Sequence, residues 1–287
     1  MTSADLVPVG EVVDDAFVDV IAKLSGRVVP RPMFNPQGLA LRLANDSAGC
    51  FVAVEDGRLL GALFSVRRGS LGWFGPVGVA TAAQGRGVGR ALVHECVNSW
   101  TGSEVGLMAL ETFPNSAYHV HFYSEFGFQP GWLGIEMRKQ LGAASFPSGV
   151  EEGVREPPAL DFLYPGLDLS REVANTERLG AGRVFSAGGG LGILHLTGAL
   201  HTSDKGAFIP FLAAPDKASF TTLVAACEAA ALEAGKTEIA VRLCGSSRGP
   251  LETLPALGYR AGMAMVRMKR GTALDFDRDA WYCDDWL

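Results

Sequence analysis

The chain has 287 residues, 48% hydrophobic and 20% charged, with a net charge of −6. That length suits two domains with sizeable cores, and the acidic balance shows no basic stripe, so nucleic acid is not an expected partner. No apolar run reaches the roughly 20 residues of a membrane span, and Met1 to Gly10 carries Asp5 but no Lys or Arg, unlike a secretory signal.

In chain order, Glu11 to Leu24 repeats apolar residues near a 3.6 period and predicts a helix. A Pro- and Arg-rich loop, Val28 to Pro36, leads to a short helix over Leu39 to Ala44. The period then changes. Cys50 to Val54 and Leu59 to Val66 read as strands joined by an Asp56-Gly57 hairpin turn. Leu71 to Val79 is a third strand, Gly89 to Trp100 a helix, Val105 to Leu110 a strand, Ala117 to Glu125 a helix, and Trp132 to Met137 a last strand. Helices, an antiparallel meander and then alternating strand and helix make an α+β layout on a mixed sheet. Leu141 to Leu160, rich in Gly, Pro, Ser and Glu, reads as an interdomain linker.

The second half repeats the first. The run from Phe126 to Lys139 matches the run from Leu257 to Arg270, with Gly127, Gly131 and Met137 over Gly258, Gly262 and Met268. The same shift of 131 residues, as from Phe126 to Leu257, also carries Leu92-Val93 onto Leu223-Val224 and Cys96 onto Cys227. The expectation is two similar domains side by side, 1–145 and 146–270, with a tail over 271–287. The tail holds Asp275, Asp277, Asp279, Asp284 and Asp285 with Trp281, Tyr282 and Trp286. Its plain reading is an element packed on its own domain; the sharper readings are a flap over a cleft or a homodimer contact.

The richest chemical text follows the strand ending at Val79: Gln84, Gly85, Arg86, Gly87, Val88, Gly89 and Arg90 precede a helix. Glycines let the backbone approach a ligand. Free N–H groups at a helix start favour an anion. No Gly-Lys-Ser/Thr follows, which excludes a triphosphatase loop. The antiparallel strands upstream argue against a dinucleotide fold. The five cysteines, Cys50, Cys96, Cys227, Cys244 and Cys283, form no CxxC pair, and the five histidines show no metal-ligand spacing. Idle thiols in a reducing cytoplasm and no metal are expected.

Val79 followed by Gln84, Gly87 and Gly89 resembles the acyl-CoA signature of the GNAT acetyltransferases. His121 to Pro130 resembles that family's second motif, an aromatic-Tyr run closing on Gly-Phe. The resemblance covers about Cys50 to Lys139, and it implies a direct transfer of an acetyl or short acyl group from CoA to an amine. It implies that acetyl-CoA lies between two splayed strands, with main-chain groups of Val77, Gly78 and Val79 along its pantetheine arm. It places Gln84 to Arg90 around the pyrophosphate. The family often has an Asn seven residues before the Tyr; here that position is Ser116, and Asn115, one residue earlier, is the candidate CoA contact. Tyr123 matches the usual acid. Many members carry a Glu on the strand before the loop, but Leu71 to Val79 has no acid, so Glu111 is the candidate base. A water chain and an amine that binds neutral stay open beside it. His119 and His121 lie two residues apart and so cannot share a helix face.

In the second copy the shift carries Gln84 to Pro215, Gly87 to Ala218, Gly89 to Phe220 and Tyr123 to Leu254. The second half therefore reads as a degenerate copy that completes the acceptor cleft or an interface. The acceptor is a small-molecule or protein amine. The competing reading is an acyl-CoA-binding sensor without turnover.

Overall fold

The computed structural model describes residues 1–25, 31–197, 204–271 and 280–285. The predicted Val28–Pro36 loop lies partly outside them, as do Asp275, Asp277, Asp279 and Trp286 of the tail. Helix α1 (Leu6–Ser25) starts earlier than the periodicity predicts and packs on α2 (Pro36–Asn45). Asn35 caps α2, its side chain accepting from the Gln37 N–H at 2.8 Å, with Pro36 in the first turn where no N–H is missed. Asp56 and Gly57 both take positive φ, 49° and 74°, the twist-matching geometry of a two-residue hairpin between β1 (Phe51–Glu55) and β2 (Arg58–Arg68). The chain continues through β3 (Leu71–Val79), α3 (Val88–Trp100), β4 (Leu107–Thr112), α4 (Ala117–Ser124) and β5 (Gln129–Gln140).

A second series follows: β6 (Glu151–Glu152), α5 (Ser170–Arg178), β7 (Gly182–Ala187), β8 (Gly190–His195), β9 (Gly206–Ala214), α6 (Lys217–Glu233), β10 (Glu238–Cys244), α7 (Arg248–Ala256) and β11 (Arg260–Gly271). Strand β12 (Trp281–Asp284) comes last among the described residues. The α+β class and the doubled layout expected from the sequence are both present.

All twelve strands join one sheet in the order β1-β2-β3-β4-β11-β5-β10-β9-β8-β7-β6, with β12 on β9. The halves exchange their last strands. β11 pairs antiparallel with β4, from Val266↔Thr112 to Gly271↔Leu107, and β5 pairs antiparallel with β10, from Glu238↔Gln140 to Cys244↔Gly134. β5 and β11 also pair with each other. The two halves are thus woven together rather than merely adjacent.

Four apolar clusters fill the molecule. One lies under α1 and α2, a second under α3 and α4, and a third under α6. The fourth spans the junction and joins Trp73 and Leu107 of the first half to Tyr164, Phe211 and Tyr282 of the second. Val154 and Leu160 of the Gly/Pro-rich 141–160 segment are buried there, 5% and 3% exposed, and anchor a segment that is otherwise mostly exposed.

The two halves differ where the sheet opens. β3 and β4 pair in parallel only from Leu71↔Leu107 to Trp73↔Ala109. A register shift between Leu63 and Ser65 on β2 puts an extra residue into β3 before Val77, and such a bulge bends the strand away from its neighbour. In the second half β9 and β10 likewise pair only from Gly206↔Glu238 to Ile209↔Val241. There β12 fills the opening, pairing Trp281↔Ala214 through Asp284↔Phe211. The described part of the tail, 280–285, pairs with β9 through β12 and reaches the first half at Tyr282 and Asp285. Among the described residues no helix is long and apolar enough to cross a membrane, and no cluster of three His, Cys, Asp or Glu is placed to hold a metal.

Candidate functional site

The open side of β3 is the first element of the site. The Ala80 N–H donates to the Leu60 carbonyl at 2.8 Å. Strand alternation then turns the main-chain groups of Gly78 toward β2 and those of Val77 and Val79 toward the gap. Val77 and Val79 also line a cavity of about 630 Å³. Gly78 has a different part. A Cβ there would lie 2.8 Å from the Val13 Cα, so this glycine lets α1 close onto the strand rather than meeting the gap.

The turn after β3 is the second element. Gly85 and Gly87 take φ of 76° and 85°, a region costly to residues with a Cβ, and a Cβ on either would meet nothing within 4 Å. Gly87 is the N-cap of α3 and offers no side-chain acceptor, so the first N–H groups of the helix are left for a ligand. Gln84, Gly85, Gly87, Val88, Gly89 and Arg90 all line the cavity. The Gln84 amide donates to the Val79 carbonyl at 3.2 Å and ties the turn to the strand end. The Arg86 side chain leaves the cavity and pairs with Glu55 on β1 at 2.6 Å. Arg90 pairs with Glu125 at 2.7 Å and lies against the Phe122 and Phe126 rings, holding its charge at the rim. This is a cradle of open main chain beside a cavity of about 630 Å³.

The third element is α4. Tyr123 lines the cavity, 9% exposed, with its ring against Phe74 and Phe122. Burial raises its pKa well above that of a free phenol, so the hydroxyl keeps its proton at neutral pH. Asn115 is not brought to the site. It lies outside the cavity lining, and its amide donates to the Leu24 carbonyl at the end of α1.

Glu111 reaches the cavity wall but is not a free carboxylate. One oxygen accepts from Arg267 Nε and the other from Arg242 Nη1, each at 2.8 Å, and its side chain is 5% exposed. Arg267 in turn pairs with Asp284 at 2.6 Å and Arg242 with Asp285 at 2.7 Å. Burial works against the charge on Arg267, but Asp284 and Glu111 outweigh it and hold its pKa well above the ordinary value. Both oxygens of Glu111, the candidate base, are thus taken up by guanidinium donors at the cavity wall.

The sequence reading gave no part in the site to Phe17 and Val20 of α1 or Met265 of β11, and took His119 of α4 for a surface residue, yet all four line the cavity. Phe17 and Val20 belong to the apolar period that predicts the helix, which marks them as buried but not by what. Met265 is brought in only by the strand exchange. The thiols stay apart from the chemistry: all five cysteines are buried, and burial pushes Cys50 up to about 11 and Cys96 up to about 12.

The family model for the acetyltransferase (GNAT) domain matches residues 46–130. Residues 46–130 form a GNAT domain. The match stops where β5 begins and crosses to the other half. A structure from Pyrococcus horikoshii, whose acetyltransferase assignment is itself an inference, is similar at a TM-score of 0.75 and 19% identity, covering 98% of this chain and 91% of that one. A GCN5-related N-acetyltransferase from Sphaerobacter thermophilus is similar at 0.59 and 13%, with 96% of each chain covered. A tandem GNAT protein from the clavulanic acid biosynthesis pathway is similar at 0.53 and 16%, covering 96% of this chain and 98% of that one. At these identities the likeness is one of fold, and the fold is that of a tandem GNAT protein. No curated protein matches the sequence.

The GNAT signature in the second half is erased by more than substitution. The register of the strands shifts Leu71 onto Gly206, 135 residues on, whereas the helices keep the shift of 131. Four residues are lost between them, the counterparts of Ala80 to Ala83, so that Pro215, opposite Gln84, follows directly on the end of β9. Eight residues separate β3 from α3, but only Pro215 and Asp216 separate β9 from α6. Asp216 caps α6, accepting from the Ser219 N–H at 2.8 Å, and puts a carboxylate where the first half leaves room for phosphate. Phe220 and Leu254 are fully buried, as a degenerate copy requires.

Proposed function

We propose that this protein transfers an acetyl or short acyl group from CoA to a primary amine at the site in its first half. The observation that carries the reading is the open edge of β3 running into the uncapped Gly85–Gly89 turn, with Tyr123 inside the same cavity. Bound acyl-CoA would supply the activated thioester carbonyl. Val77 and Val79 pair with the pantetheine arm as an added strand would. The main chain from Gly85 to Gly89 holds the pyrophosphate, with Arg90 at the rim. Tyr123 keeps its proton and presents it to the sulfur as the thiol departs. Phe17, Val20, Phe113 and Met265 wall the acceptor side and exclude water from the carbonyl.

The test is calorimetric titration of acetyl-CoA into wild type and Gly87→Trp, followed by a free-thiol assay against primary amines. Trp at Gly87 is strained at φ 85° and fills the cradle, so binding is expected in wild type only. Binding by wild type with thiol released to no amine would move the protein to the sensor class. No binding at high micromolar ligand refutes the reading.

A further inference from the structure

With Glu111 clamped by arginines, the amine's proton needs another acceptor. His119 and Tyr123 stand i and i+4 on α4, a spacing that puts side chains on one face with Cβ atoms about 5–6 Å apart. Both line the cavity. His119 is half-buried, with its ring 6.4 Å from that of Phe113 and 5.2 Å from that of Tyr118. Its Nδ1 lies 2.6 Å from the Oγ of Ser116, the N-cap of α4, which also accepts the His119 main-chain N–H at 3.4 Å. A cap oxygen accepting from Nδ1–H leaves Nε2 with its lone pair.

We propose that His119 is the proton acceptor of the reaction, taking the amine's proton at Nε2 while Tyr123, one turn along α4, serves the departing sulfur. The proposal rests on the acyl-transfer reading. The amine nitrogen forms the new C–N bond and the thioester C–S bond breaks. One nitrogen proton passes to His119, the sulfur takes the phenol proton of Tyr123, and the imidazolium proton restores the phenol. The net change is one proton moved from nitrogen to sulfur.

The surroundings keep His119 uncharged. Burial lowers its pKa, and its place in the first turn of α4 acts in the same direction. The other charged or titratable groups at the cavity are Asp19 and Lys23 from α1, Arg90 from α3, Glu111 from β4, and Tyr118, His121, Tyr123 and Glu125 on or just after α4. Asp19 pairs with Lys23, Arg90 with Glu125, and Glu111 with two arginines. Among the described residues no carboxylate pairs with His119, so none raises its pKa back toward neutrality. The neutral form is the active one, and activity falls as pH drops through the lowered pKa.

The experiment compares wild type with His119→Gln and His119→Ala by acetyl-CoA titration, amine-dependent thiol release and ¹⁵N NMR of the histidine rings at neutral pH. The expected ring is the Nδ1–H tautomer. Both variants should keep acetyl-CoA affinity within about twofold and lose about 10²-fold or more in turnover, with the acidic limb of the pH profile abolished. Added imidazole should restore part of the rate of His119→Ala. An active wild type with an unimpaired His119→Gln, or an Nε2–H tautomer in wild type, overturns the proposal and leaves acyl transfer standing. A wild type that binds no acetyl-CoA, or binds it and serves no amine, overturns both.

Discussion

Arg267→Met measures how firmly the second half holds the first half's site. Arg267 is 1% exposed, and its two anionic partners, Glu111 and Asp284, are 5% and 0% exposed. Methionine keeps much of the apolar stem and removes the charge, leaving both carboxylates short of a partner where water does not reach. Removing one member of a buried ion pair costs about 3–5 kcal/mol. Glu111 keeps Arg242, so the lower end applies, about 3 kcal/mol. At about 2–4 °C per kcal/mol, the unfolding midpoint should fall by about 6–12 °C. The control is Arg86→Met, whose pair with Glu55 is about half exposed on both sides and is worth about 0–1 kcal/mol. Urea and thermal unfolding followed by circular dichroism give both values. Adding Glu111→Gln and Asp284→Asn to Arg267→Met should recover much of the loss, since no charge is then left unpaired there. If Arg267→Met moves the midpoint no further than Arg86→Met, the network is not the clamp argued here.

Two further outcomes follow from the asymmetry of the halves and from α4. Acetyl-CoA should titrate with one site per chain, because β12 fills the second opening and Asp216 caps α6; a second equivalent of comparable affinity would show that the tail strand yields to ligand. Tyr123→Phe should keep acetyl-CoA affinity and lower turnover by about 10²-fold, and an unchanged rate would remove the phenol from the proton path.

Much of the fold was legible because periodicity and turn chemistry are local. The Asp56-Gly57 hairpin, the strand–turn–helix around Gly85–Gly89 and the doubled pattern can each be read in a short window. The strand exchange could not be read, for a reason contained in the repeat itself. β5 and β11 carry nearly the same alternation, so either strand satisfies either neighbour, and no local preference decides which half it joins. The same cause hid Met265, Arg242 and Arg267 from the site reading, since they reach it only through that exchange. Glu111 was placed at the gap by its position at a strand end, but its partners are 131 and 156 residues away in sequence. The constant repeat shift concealed the lost residues before α6, because matching helices say nothing about the loop that precedes them. His119 was taken for a surface residue; its place one turn before Tyr123 is what puts both on the cavity.

The exchange also gives the second half a structural part in the first half's cavity. Once β11 lies against β4, Arg267 stands opposite Glu111 inside the sheet, and Arg242 of β10 approaches from the far side of β5. Two buried guanidinium groups around one carboxylate leave an excess positive charge, which is costly in a dry interior. Glu136 is only 3.9 Å from Arg242 at its nearest and also pairs with Arg138. The compensating anions come from the tail. β12 pairs with β9 beyond the point where β9 leaves β10, and its end sets Asp284 on Arg267 and Asp285 on Arg242. Filling the opening beside β9 and neutralising the arginines are therefore one structural event. Losing the tail strand would both expose the β9 edge and unbalance the ion network behind the first half's cavity, which ties that cavity to the last described residues of the chain.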